Sequence, residues 1–406
     1  MKQLIGILRK SAKDSRVTLV TGAFFGALTN VYAVQAAVIL LALMVFVFGF
    51  AFYDQRRSLK QLAISEEEIM GLLKPSQEAL TAIQKSNKNH LVVGDFVEII
   101  PHPNLNTATR AADAGWSPAE IIVELDDREF DAKELLELSG GKNEFDPPNG
   151  TKYALVSAPF VTEESPQLEL VLNETNYFTV QTAKKLLREQ PQLQSKFGSV
   201  VLEDNRIPSS LCLHYVIRTA DDSILCMKRS GGMAYHSGLW SITGEEQVSD
   251  HEIGKQAPIE KLFKRALCEE IFQLRNSSAL QDVMPFLEDD LRFIRILSIG
   301  IELPLYNPTI IGLAQLSIDV SELRKRLIER KRNLALNAGH DDEGDFFILS
   351  KYDAYKLLRE GTATVTGLFS QRAEILTENL LHPTSRYRLF RVLRTTLRRS
   401  LQQGAI

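Results

Sequence analysis

Cysteine is scarce in this chain of 406 residues: only Cys212, Cys226 and Cys268 occur. None is in a CxxC pair and no histidine cluster lies near them in sequence. An odd count excludes a complete disulfide framework, and the spacing argues against a cysteine-based zinc module. The expectation is three buried, reduced thiols. Internal repeats are also missing, which sets aside solenoids and propellers. Acidic residues are absent from 386–406, which carry six arginines. Charge of either sign is absent from Val17 to Tyr53, a run of 37 positions.

What is present is an acidic body with basic ends. Residues 1–16 carry Lys2, Arg9, Lys10, Lys13 and Arg16 against Asp14, and 386–406 carry only arginine. The chain's net charge of -4 then leaves -14 on the remainder. Basic ends suit a membrane surface or phosphates, and an acidic body does not suit a nucleic-acid polymer.

The uncharged run is too long for one upright helix, since one bilayer crossing takes about 20 apolar residues. Thr29, Asn30 and nearby Gln35 break it near the middle. Basic residues flank both ends, with Arg56, Arg57 and Lys60 following. Under the positive-inside rule both flanks are cytoplasmic, which two crossings satisfy and one does not. The expectation is a transmembrane hairpin over 17–53, with both termini cytoplasmic. A single tilted span and a signal peptide ending at "VYA" are the rivals. The expected order is a basic segment (1–16), the hairpin (17–53), a juxtamembrane helix and linker (54–87), a small α/β region (88–150) and an α/β domain (151–406).

In the last of these, "SLCLHYVIRT" and "SILCMKRS" read as two strands joined at Asp221–Asp222. "LELVLNETNYFTV", "RFIRILSIGIEL", "TIIGLAQLSID" and "GDFFILS" read as further strands, and "PIEKLFKRALCEEIFQL" and "SELRKRLIERKRNLAL" as helices. "HPTSRYRLFRVLRTTLRRSL" reads as a helix started by Thr384 or Ser385, with Leu389, Phe390, Leu393 and Leu397 as its apolar stripe.

The octapeptide "RALCEEIF" (265–272) carries the chemistry. On a helix, Arg265 and Glu269 share a face and Glu270 lies beside them, while Leu262, Phe263, Ala266, Leu267 and Ile271 recur at core spacing. Clustered carboxylates suit Mg²⁺ or Mn²⁺ bridging a diphosphate; an exposed ion-paired helix face is the plainer reading.

With the hairpin before it and "LWSITGEE" upstream, this region resembles the Nudix hydrolase fold, a mixed sheet sandwiched by helices. Arg265, Leu267, Glu269 and Glu270 match the Nudix box. Ala266 stands where the box has glutamate and Phe272 where it has glycine. "VSDHEIGKQ" reads as an insertion between Gly244 and Arg265. The acidic run Asp341, Asp342, Glu343 and Asp345 is a candidate replacement if it folds back.

The phrases "LELVLNETNYF", "PSSLCLHYVIRTADDSILCMKRS", "GLWSITGEEQ", "RALCEEI" and "HPTSRYRLF" resemble, more specifically, the SMODS-associated Nudix domain. That resemblance implies an effector of CBASS antiphage signalling. Its ligand would be a cyclic di- or oligonucleotide, its response homo-oligomerisation and damage to the bacterial inner membrane in which it would sit. Candidate ligand contacts are Lys228, Arg229, Tyr235, His236, Trp240, Glu246, Arg265, Arg386 and Arg388, with Glu269 and Glu270 as candidate Mg²⁺ ligands. The departures at 266 and 272 point to binding without turnover; the alternative is a tethered Nudix hydrolase of a nucleoside diphosphate derivative.

Overall fold

The computed structural model describes Met44 and residues 73–84, 90–108, 111–138, 150–159, 167–229, 238–271, 289–334 and 344–403. The chain divides into a unit of residues 1–65 and a unit of residues 66–406. The second unit, described by itself, is α/β.

Its N-terminal part holds α1 (Gln77–Gln84), β1 (Leu91–Val93), β2 (Phe96–Pro101), β3 (Ile121–Glu129) and α2 (Lys133–Leu138). Then come β4 (Thr151–Ser157), β5 (Leu168–Asn176), α3 (Tyr177–Glu189) and α4 (Gln192–Phe197). The middle holds β6 (Cys212–Arg218), β7 (Ile224–Arg229), β8 (Trp240–Ser241), β9 (Gly244–Gln247) and α5 (Pro258–Ala266). The remainder holds β10 (Leu291–Glu302), β11 (Asn307–Leu316), α6 (Val320–Leu334), β12 (Gly344–Leu349), α7 (Lys351–Glu360), β13 (Thr362–Gly367), β14 (Ala373–Thr377) and α8 (Ser385–Gln403).

The large mixed sheet runs β1-β2-β10-β11-β6-β7-β12-β13-β14, with β8 on β7 and β9 on β6. Its β6–β11 pair is parallel. Both central strands are buried along their whole length, as expected of strands covered on both faces. A second sheet runs β3-β5-β4. The two sheets meet where the Leu211 amide donates to the Tyr153 carbonyl at 2.7 Å and the Tyr153 hydroxyl donates to Asp250.

Alternation along the strands separates two faces of the large sheet. Leu213 and Tyr215 face α5, whose Phe263 packs on Tyr215 with ring centroids 5.5 Å apart. Gly312 is required there, because a Cβ at that position would collide with the Phe263 ring. The opposite face presents His214 and Glu245, paired across β6 and β9, to the lead-in and first turns of α8. Leu389, Phe390 and Leu393 of α8 are buried, in agreement with the predicted stripe. The turn expected at Asp221–Asp222 is present, with Asp222 at φ 61°.

Two expectations need correction. The strand over "LELVLNETNYFTV" stops at Asn176, whose side chain accepts from the Thr179 amide at 2.9 Å and starts α3; the N-cap outweighs the β-preferring residues that follow. The transmembrane hairpin, and with it the inner-membrane location, is not upheld. A crossing requires a continuous apolar helix of about 20 residues, and an uncharged run alone is not one. Among the described residues no helix is long and apolar enough to cross a membrane. Residues 17–53 lie, apart from helical, exposed Met44, outside the described residues.

Candidate functional site

α5 starts at Pro258 and buries Ile259, Leu262, Phe263 and Ala266 at helical spacing. A π turn over Leu267–Ile271 continues it. This register leaves Arg265 at the edge of the core, and four partners converge on it. Its Nε donates to Glu252 Oε1 at 2.8 Å, and Nη2 donates to Glu252 Oε2 at 3.2 Å and to the Gln247 carbonyl at 2.7 Å. Its Nη1 lies 3.0 Å from Glu246 Oε1 and 3.3 Å from Glu269 Oε2.

Glu252 comes from the segment the sequence marks as an insertion. Ser249 fixes it, with both amide and hydroxyl donating to Oε2 at 2.9 Å. The Ser-x-x-Glu spacing of Ser249 and Glu252 is the signal that would have found it.

Burial pushes the Glu269 carboxyl up to about 7; the Glu246 charge and a shared hydrogen bond add to the rise, and Arg265 opposes it. Ala266 is fully buried and its carbonyl accepts from Tyr215 at 3.0 Å. Position 266 thus points into the core, where the box would place a carboxylate. The described carboxylates do not fit Mg²⁺, because Glu246, Glu252 and Glu269 close on a guanidinium rather than on an open position.

Positive charge reaches the same junction from the second sheet and its helix. Lys152 on β4 has its ammonium pKa lowered by burial, while Glu246 opposes. Lys184 on α3, more deeply buried, is lowered for the same reason, with Glu302 opposing. Neither lysine stands out in sequence; their signal is only that a strand and a helix each carry a lysine on an otherwise apolar side.

The other sequence candidates are dispersed. Lys228 is exposed, pairs with Glu374 at 3.1 Å and lies 5.3 Å from the Trp240 ring centroid. Trp240 is buried edge-on against Phe347. Arg386 pairs with Glu378 at 2.9 Å. Tyr235, His236 and residues 341–343 lie outside the described residues; Glu270 and Asp345 are described in their backbone only.

Arg229 and Arg388 belong to a buried centre on the α8 face. Arg229 Nη1 donates to Glu245 Oε2 at 2.6 Å. Arg388, fully buried, donates to the carbonyls of Ile242 and Gly244 at 2.9 and 3.2 Å, to Ser241 Oγ at 3.0 Å and to Glu245 Oε1 at 3.2 Å. His382 Nε2 lies 3.3 Å from Glu245 Oε1 and 3.6 Å from Glu302 Oε1. Burial pushes His382 down to about 3, so it is neutral. Burial works to raise the Glu245 carboxyl, but positive neighbours, Arg229 and Arg388 among them, hold it well below the usual range. Sequence reading missed His214, Glu245, Glu302 and His382. The available signal was a histidine inside the otherwise apolar run of β6.

All three cysteines are free and buried, as expected. No protein-family model and no curated protein matches the chain.

Proposed function

We propose that the unit 66–406 is a nucleotide sensor. It takes a cyclic di- or oligonucleotide second messenger, of the kind the CBASS resemblance implies, and does not turn it over. The observation that carries this reading is the closure of Glu246, Glu252 and Glu269 on Arg265, with Ala266 in the core. A helix so arranged holds a fixed frame but, among the described side chains, offers no open metal position. The frame stands beside Lys152 and Lys184, cations at the junction of the two sheets. Ammonium groups suit phosphodiester oxygens, which accept charge-assisted hydrogen bonds from them.

Binding at that junction would bridge the two sheets, and self-association follows if the bridged form is the one that assembles. A ligand shifts such an equilibrium only by its differential affinity for the two states. Membrane damage is not carried forward, since it depended on the hairpin.

The test is titration of the purified chain with cyclic dinucleotides and cyclic trinucleotides, read by calorimetry and sedimentation. Tight binding of one of them without product, with a larger sedimentation coefficient, is the expected result. Lys152→Ala should weaken binding at least tenfold. Absence of binding to every cyclic nucleotide would overturn the proposal.

A second reading draws on the Glu269 carboxyl near 7, a value suited to general acid–base work. Turnover of a nucleoside diphosphate derivative that Glu269→Gln abolishes would favour hydrolysis instead.

A further inference from the structure

The buried centre under α8 has no part in the nucleotide reading. It brings together two imidazoles and two carboxylates from four separate segments: His214 on β6, Glu245 on β9, Glu302 at the end of β10 and His382 just before α8. One ligand atom each from His214, Glu245 and His382 lie within 4.8 Å of one another. His382 Nε2 is 3.3 Å from Glu245 Oε1 and 3.6 Å from Glu302 Oε1. A tetrahedral ion with bonds of about 2.0–2.1 Å separates its ligand atoms by about 3.3 Å. Two edges of such a tetrahedron are therefore already near their final length.

We propose that His214, Glu245, Glu302 and His382 form a site for one divalent first-row transition-metal ion.

The surroundings are those of a metal site. Thr384 Oγ1 lies 2.8 Å from His214 Nδ1 and 3.2 Å from His382 Nδ1. One hydroxyl thus reaches both imidazoles at Nδ1; the Thr384 amide also donates to His382 Nδ1 at 3.4 Å, so ligation through His382 Nε2 requires the ring proton to move to Nδ1, with the Thr384 hydroxyl as its acceptor. Arg229 holds Glu245 through Oε2; Oε1, the oxygen nearest His382 Nε2, also accepts from Arg388 and Ser241, each at 3.2 Å, and a bound ion would share it with them. Across the ladder from Glu302 stands Asn307, whose buried Oδ1 has no hydrogen-bond partner among the described residues.

Charge decides which ion fits. Arg229 and Arg388 already balance the two carboxylates, so an incoming cation is surplus positive charge in a buried place. Mg²⁺ and Ca²⁺ bind through charge to oxygen and are disfavoured there. Zn²⁺, Mn²⁺ or Fe²⁺ gain directional bonds to imidazole nitrogen and suit the mixed set. A bound ion would tie α8 to β6, β9 and β10, three strands of the large sheet.

The test uses the purified full chain, stripped with chelator and then given Zn²⁺ or Co²⁺. One equivalent should survive gel filtration, and Mg²⁺ should not compete. His214→Gln and His382→Gln should each lower retention at least tenfold, whereas His251→Gln, at an exposed loop position, should leave it unchanged. Failure of the folded chain to retain Zn²⁺ or Co²⁺, or retention by both histidine variants equal to that of the unsubstituted chain, overturns the site. If those variants do not fold by circular dichroism, the visible spectrum of the Co²⁺-loaded wild-type chain decides. Bands of nitrogen and oxygen ligation support the site; thiolate charge transfer, or no bands, overturns it.

Discussion

Arg265 shows how one side chain sets the chemistry of its neighbours. Its guanidinium is almost enclosed, and Glu252 beside it has only 2% of its side chain exposed. Removing one partner of a buried pair costs about 3–5 kcal/mol, because the other charge is left uncompensated. Arg265→Leu strands three carboxylates, so urea unfolding should show a loss of at least that size. The Glu269 carboxyl gives a pH signature. Glu269 rises from an ordinary 4.5 to about 7 in the folded protein, so between those values the native state holds more protons than the unfolded one. Stability therefore falls as pH rises through that window. Glu246→Gln removes the neighbouring negative charge that opposes ionisation of Glu269 and should flatten the fall. Unfolding midpoints at about pH 5 and about pH 8 measure it; an unchanged difference between them would contradict that contribution.

At the scale of elements, local signals place most of the strands and helices, and close packing fixes their partners. Phe263 of α5 lies over Gly312 of β11. Gly312→Ala overfills that contact and should cost about 1–3 kcal/mol in urea unfolding. α8 covers the opposite face with Phe390 buried, and Arg391 and Tyr387 both reach Glu98 of β2. Phe390→Ala should cost about 3–5 kcal/mol, with the loss visible in melting by circular dichroism. The β6–β7 hairpin, α5 and the stripe of α8 were legible because each combines a periodic apolar pattern with a turn or cap. Residues 351–377 were not. There α7 is bounded by caps rather than by a strong stripe: Ser350 accepts from the Asp353 amide at 3.1 Å, and Gly361 closes it at φ 71°. β13 and β14 are short, and β14 lies at the edge of the sheet with Ile375 exposed. Edge strands half in water carry little hydrophobic signal to read.

The whole of the 66–406 unit joins two sheets through few bonds. The Leu211 amide bonded to Tyr153 is one of them, and it lies next to the fully buried strand β6. If the sheets unfold together, exchange of that amide requires global opening. Its protection should then fall in step with the urea stability of Gly312→Ala. Protection that stays constant while stability drops would show two separate folding units.

By itself the sequence determined the locally written features: a hairpin at Asp221–Asp222, an amphipathic helix under "RALCEEIF", free buried thiols and a C-terminal helix with an apolar stripe. These follow from periodicity, turn residues and composition, which act over a few neighbours. Only the tertiary structure decided that Ala266 faces the core, that an insertion supplies Glu252 and that His214 meets His382 across 168 positions of chain. It also corrected the reading of an uncharged run as a membrane hairpin. The reason is physical. Side-chain direction, desolvation and the pairing of charges depend on which distant strands lie side by side, and no local window contains that.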